Sequence, residues 1–372
     1  MIRTFQPVGQ GTFITEQFEK GQNVVFDCGS DTSARLMADL VKQNFHEGEV
    51  IDGVFLSSVD KEHASGLEIL MDWCCVKKVF LPFLHEEERA YTLLKHLCEG
   101  GQPDDFLGRL ITEPKTALSA WQVMDAKLPV VTQVAEETDQ VKNVFDANLP
   151  MYLLPWKAIS GFRVYVDENM DWVYQPETYR QRERMEKMKE CLRASEISPE
   201  QTASVESLKQ LWADEGTRSR LTEAYKRFDG PFCAVSMAVY AGPESADYAL
   251  YEQFTEEGKW SYYTRIRSGC IYTGNLQVSG EGPRERLKRH YQSYLPRVGC
   301  WLLPGHGSES LFHEAILPKR NAIVVATADN ECATGEPHGQ VVKSIMQRQI
   351  PFYLVTELPG STVRFYVSEV LG

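Results

Sequence analysis

Carboxylates, hydroxyls and an imidazole gather after one apolar run. Val54-Phe55-Leu56 follows Gly53 and reads as a buried strand, then breaks into Ser57-Ser58-Val59-Asp60-Lys61-Glu62-His63 before Ala64-Ser65-Gly66 opens a helical pattern. Polar residues at the end of a buried strand are where layered α/β folds place their chemistry. Carboxylate and imidazole side by side can move protons or share a cation. Three further strand ends carry polar groups: Asn275 after Cys270-Ile271-Tyr272, His306 after Cys300-Trp301-Leu302-Leu303, and His338 beyond the run 322–326 and Asp329-Asn330. Each has a plainer use as a cap or loop hydrogen bond. The order of all four is the informative feature. Asp27, closing Asn23-Val24-Val25-Phe26, either orients such a site or belongs to a helix cap with Ser30, Asp31 and Thr32.

The elements that must hold these groups alternate. Ser33 to Phe45 has a helical face of Leu36, Leu40, Val41 and Phe45, Gly66 to Trp73 is a short helix, and Val76 to Leu81 is a strand. Helices over 86–97 and 117–125 and a strand over 130–134 follow. Such alternation predicts a layered α/β architecture. Residues 177–227 are rich in Glu, Lys, Arg and Gln and read as a largely solvated helical insertion within a single domain spanning 1–372. Past it, strands are expected at 231–240, 261–263, 270–272, 300–303, 322–326, 351–356 and 362–367, with a polar excursion at 242–259 and helices over 283–294 and from Pro337 to Met346.

The formal net charge of −13 disfavours tight, sequence-independent nucleic-acid binding, which needs cations to neutralise phosphates. The segment Met1 to Pro7 has no apolar core of a signal peptide, and no uncharged run is long enough to span a bilayer. The nine cysteines (Cys28, Cys74, Cys75, Cys98, Cys191, Cys233, Cys270, Cys300 and Cys332) are odd in number and sit mostly among apolar residues. Reduced thiols in a cytoplasmic protein are the expectation.

The strand-end stretch resembles the metallo-β-lactamase superfamily, whose loop reads His-x-His/Asp-x-Asp-His followed by a small residue and Gly. Aligned on His63 and Gly66, the positions here are Ser58, Asp60, Glu62 and His63. The later motifs resemble the domain at the C-terminus of the DNA-uptake channel protein ComEC and its free-standing relatives. Thr273-Gly274-Asn275 matches that branch's Thr-Gly-Asp, Gly305-His306-Gly307-Ser308 its His-His-Gly-Ser, Asp329-Asn330 its Asn-Asn, and Glu336-Pro337-His338 its His-Pro-His. The resemblance implies a four-layer αββα sandwich with the helical insertion set into it. It implies a metal site, zinc or manganese, at Asp60, His63, His306 and His338. Asp60, Glu62 and His306 carry the catalytic roles, supported by Asp27, Ser58, Asn275 and Asn330.

Three departures fall on the ligand positions: Ser58 for an imidazole, Asn275 for a bridging carboxylate and Gly305 for an imidazole. A pair of close dications needs those groups, whereas a single catalytic zinc can use three protein ligands plus water. Two readings follow. One is a pseudo-enzyme without metal that serves as a binding or assembly component. The other is a metal-dependent phosphodiesterase or nuclease with a rearranged, single-metal site. By family habit the partner is a protein or multi-protein system, such as a bacterial defence cassette, and not a membrane.

Overall fold

The computed structural model describes residues 1–121, 130–139, 148–151, 154–245, 248–253, 260–263, 266–317, 321–331 and 335–369. Among them the strands form a ten-stranded sheet, an eight-stranded sheet and a two-stranded ladder. The ten-stranded sheet runs, edge to edge, through Lys157–Ile159, Val131–Ala135, Val79–Pro82, Gly53–Phe55, Asn23–Ser30, Gly11–Gln17, Ile2–Phe5, Val363–Glu369, Tyr248–Gln253 and Trp260–Tyr263. The eight-stranded sheet runs through Phe352–Val355, Ile323–Thr327, Val298–Leu302, Gly269–Tyr272, Val235–Gly242, Val173–Arg180, Arg163–Tyr165 and Asn148–Pro150.

Strand alternation sorts side chains into three apolar layers. Phe26, Phe55 and Phe80 stand on parallel neighbours of the first sheet and stack at 5.4 and 4.5 Å between centroids. They face Tyr174, Met237, Val239, Cys270, Tyr272, Cys300 and Leu302 of the second sheet. The alternate residues Val25, Val54, Val79 and Leu81 turn to an outer layer with helices Ala34–Asn44, Leu67–Trp73 and Glu86–Cys98. On the far side, Ala238, Tyr240, Ile271, Trp301 and Val324 pack on helices Glu281–His290 and Gly339–Gln347. The result is the four-layer αββα sandwich that the resemblance implies.

One buried ion pair ties the sheets together. Both Arg3 Nε (2.8 Å) and Arg3 Nη2 (2.7 Å) approach Glu16 Oε1, which also accepts from the Tyr272 hydroxyl at 2.9 Å. Glu16 Oε2 accepts from the Tyr174 hydroxyl at 2.9 Å and the Trp172 indole at 3.2 Å. With both oxygens spent on donors, the charge is tolerated inside the sandwich.

Three expectations are corrected. The first residues of the stretch 177–227 belong to strand Val173–Arg180, whose partner Val235–Gly242 fixes them in the sheet. The helices Arg182–Ala194, Val205–Ala213 and Glu215–Lys226 that follow are not merely a solvated face. Met185, Met188, Leu192, Leu208, Leu221 and Ala224 enter the same core as Tyr91 and Leu94. Sparse apolar positions at helical spacing are enough for that, although charge dominates the composition. The polar excursion at 242–259 contains strand Tyr248–Gln253, which pairs with Val363–Glu369. The helix expected over 117–125 closes at Ala117 and gives way to one 3₁₀ turn, Ser119–Trp121, and its remainder lies outside the described residues. The eight described cysteines are free thiols, Cys75 alone of them exposed, and Cys332 lies outside the described residues. No helix of the described residues is long and apolar enough to cross a membrane.

Candidate functional site

The strand Gly53–Phe55 ends beneath a turn that Asp27 organises. The Asp27 carboxylate accepts from the Ser57 N–H at 2.6 Å and the Ser57 hydroxyl at 2.8 Å. Burial pushes its carboxyl up to about 6, against the pull of His63 and of the Ser57 bonds. Asp27 therefore shapes the loop and does not cap the following helix. Ser33 does that, accepting from Leu36 N–H at 3.2 Å. Gly29, two residues on, lies against the loop so closely that a Cβ there would stand 2.6 Å from the backbone of Glu62, His63 and Ala64.

Asp60 opens the short helix Lys61–Ala64 and is the hub of the cluster. Its Oδ1 lies 2.5 Å from His63 Nδ1, and its Oδ2 accepts from Ser58 Oγ at 3.0 Å and from Lys95 Nζ at 2.9 Å. Ser58 Oγ also lies 3.5 Å from Cys233 Sγ. Glu62 Oε1 accepts from Gln10 Nε2 at 2.9 Å, and its Oε2 stands 3.6 Å from His306 Nε2. His306 comes from the other sheet, in the turn after Val298–Leu302. It donates Nδ1–H to the Thr327 carbonyl at 2.8 Å, which leaves Nε2 facing the carboxylates. Its ring stacks on that of His63 at 5.6 Å between centroids. The two sheets thus bring Asp60, Glu62, His63 and His306 into one cluster, with Ser58 and Asp27 beside it.

The remaining candidates are placed differently. Asn275 is fully buried, and its side-chain amide has no hydrogen-bond partner among the described residues. His338 Nδ1 accepts from Gln340 N–H at 3.4 Å as a helix cap and stands 3.3 Å from Glu309, with 44% of its side chain exposed. Its N–H reaches the Gly307 carbonyl at 3.0 Å, so the backbone is near the turn while the imidazole faces out. Asn330 is exposed, its N–H donating to Glu357 at 2.9 Å. The site also holds residues that sequence reasoning missed: Lys95, Gln10, Ser57, Cys233 and Thr327. Only Lys95 announced itself, as the one cation inside Tyr91-Thr92-Leu93-Leu94-Lys95-His96-Leu97, a run buried from end to end.

Charges of both signs meet within the cluster, the carboxylates of Asp27, Asp60 and Glu62 against the cations of Lys95 and His63. For Asp60, burial works to raise the pKa but is outweighed by Lys95 and His63, which hold the carboxyl well below the usual range. For His63, burial works to lower the pKa but Asp60, then Asp27, lift it to about 9, so the ring is an imidazolium at neutral pH. Glu62 is held low as well, its own burial outweighed by His306. Lys95 is held charged: burial is outweighed by Asp60, Glu99 and Glu62.

One ligand atom each from Asp60, Glu62 and His63 falls within 4.8 Å of the others, a spacing that can hold one ion. The implied pair of metals does not fit. His63 turns Nδ1 to Asp60, a lysine ammonium already pairs with Asp60 Oδ2, and Asn275, where the resemblance implies a bridging carboxylate, is a neutral amide.

No protein-family model matches the sequence, and no curated protein sequence is significantly similar to it. Among solved structures the chain is similar to a HARLDQ-motif metallo-β-lactamase of Cronobacter sakazakii, at 11% identity over 91% of this chain and 80% of that one, with a TM-score of 0.32. A HARLDQ-motif mutant metallo-β-lactamase from that organism gives 12% identity over 92% and 89%, with a TM-score of 0.33. MEM-A1, a subclass B3 metallo-β-lactamase from a soil metagenome library, gives 12% over 80% and 76%, with a TM-score of 0.30. The assignment of the layered fold rests on the chain's own sheets and apolar layers.

Proposed function

We propose that this chain is a divergent metallo-β-lactamase-fold protein, of the ComEC-like branch by the order of its motifs, that works without hydrolytic metal chemistry as a binding or assembly component. One observation carries the reading. On the second sheet the ligand positions present a single inward imidazole, His306, beside a neutral amide at Asn275, a bare Gly305 and an outward His338. A dinuclear centre needs several imidazoles and a negative bridge, and those are the groups replaced. The acidic surface points to a protein partner before a nucleic acid.

The spacing of Asp60, Glu62 and His63 favours a second reading, a single-metal phosphodiesterase or nuclease. Zinc or manganese would sit on those donors and activate water. Asp60 or Glu62 would serve as ligand or base, and His306 would face the developing oxyanion. Elemental analysis of the purified protein, with hydrolysis of bis(p-nitrophenyl) phosphate in added zinc or manganese, separates the two. Metal-free, inactive protein is the expected result. Stoichiometric metal with hydrolysis that disappears in His63→Ala would overturn the non-catalytic reading.

A further inference from the structure

We infer that the Lys95 ammonium is the built-in cation of this site, seated against Asp60 where a divalent ion would have to bind. The inference rests on the non-catalytic reading and names what replaced the metal. Lys95 lies in the last turn of helix Glu86–Cys98 and meets Asp60 Oδ2 at 2.9 Å, with side-chain exposures of 5% and 4%. Ser58 donates to the same oxygen, and His63 takes the other. Both oxygens of the carboxylate are therefore directed at protein donors. An ion bridging Asp60, Glu62 and His63 would have to displace the ammonium or sit beside a like charge in a dry site.

The helical insertion packs on the helix that carries Lys95. Leu208, Leu221 and Ala224 join the apolar layer of Leu94 and Leu97, the neighbours of Lys95 on its own helix. Tyr225 of the insertion donates to Glu99 Oε1 at 2.5 Å, one helical turn beyond Lys95. The Lys95 ammonium and the His63 ring occupy opposite oxygens of Asp60, the positions an external ion would have to contest. A lysine has one rigidly placed charge and no open coordination position, so it can hold the strand ends together but cannot deliver a metal-bound nucleophile.

The test uses the full chain stripped with EDTA. Zinc and manganese binding is measured by calorimetry, and unfolding by thermal melts, for wild type, Lys95→Ala, Lys95→Met and Lys95→Met/His63→Ala. Wild type is expected to show no saturable metal binding and no change in melting temperature with metal. Lys95→Ala and Lys95→Met should melt several degrees lower, gain one zinc site by on the order of 100-fold in affinity as the like charge is removed, and recover stability when zinc is added. The double variant should lose that gain. Should the lysine variants fail to fold, ¹⁵N-lysine NMR of wild type decides: a slowly exchanging ammonium resonance supports the inference, and only fast-exchanging ammonium signals overturn it. Metal-free, inactive wild type whose lysine variants keep their stability and gain no zinc affinity overturns the inference alone. Stoichiometric zinc in wild type overturns the non-catalytic reading.

Discussion

The imidazoles of His63 and His306 lie 5.6 Å apart between centroids with their planes 28° from parallel, one from each sheet. Their supports differ. His63 is the buried counterion of Asp60, whereas His306 hangs on the Thr327 carbonyl at 2.8 Å. Removing His63 leaves Asp60 Oδ1 without its partner in a dry site, so His63→Ala should cost about 3–5 kcal/mol, the range for breaking a buried pair. His306→Ala removes a ring bonded to a neutral carbonyl and should cost about 1–3 kcal/mol. Urea unfolding of the two variants checks the ranking, and an equal loss would contradict the asymmetry.

The same pair sets a pH dependence. Against the effect of burial, Asp60 lifts His63 from the ordinary imidazole value of 6.5 to about 9 in the fold. A group whose folded pKa is raised gives stability that is complete below the unfolded value and lost as pH climbs through the folded one. Stability should therefore fall between pH 6.5 and 9, by up to about 3 kcal/mol for a shift of this size. Asp27, raised from 3.8 to about 6, acts in the same direction but at lower pH. Unfolding free energies measured across the upper window should slope downward in wild type and flatten in His63→Ala.

The layers are legible in the sequence because neighbouring parallel strands alternate strictly: Val25 beside Phe26, Val54 beside Phe55, Val79 beside Phe80, each aliphatic turned to the helices and each ring to the inter-sheet core. Period two carries no information about distant partners, which is why strand Tyr248–Gln253 was hidden in a polar stretch. The site was half legible for a related reason. His306 and His338 both follow Gly or Pro after an apolar run, yet one ring turns into the cluster and the other caps a helix beside Glu309. Lys95 is visibly odd in an apolar run, but helical spacing does not say which carboxylate a lysine meets.

Installing the ligands that the resemblance places at Ser58, Asn275 and Gly305 is limited by Gly305. Its φ is +52°, and a Cβ there would lie 2.3 Å from Leu311 Cδ1. Gly305→Ala should therefore cost about 1–3 kcal/mol through left-handed strain and the clash, and Gly305→His more. Asn275→Asp has room but puts a carboxylate at a fully buried position where the present amide has no partner. Thermal melts should show Ser58→His/Asn275→Asp less stable than wild type, with zinc restoring stability only when Lys95→Met is added.

The Arg3–Glu16 pair inside the sandwich gives a test of the layering itself. Its five donors to Glu16 come from Arg3 of the first sheet and from Trp172, Tyr174 and Tyr272 on the second-sheet side. Arg3 also donates Nη1–H to the Ser268 carbonyl at 2.8 Å, binding the same two sheets. Glu16→Gln keeps the shape and removes the charge, so the buried guanidinium loses its counterion and the fold should lose about 3–5 kcal/mol. Arg3→Met with Glu16→Leu removes both charges and fills the volume, so the double variant should lose less than Glu16→Gln alone, even though three ring donors are left to find new partners. Urea midpoints of the two proteins measure the difference. A double variant less stable than Glu16→Gln would mean that the hydrogen-bonded network, and not the unpaired charge, dominates this part of the core.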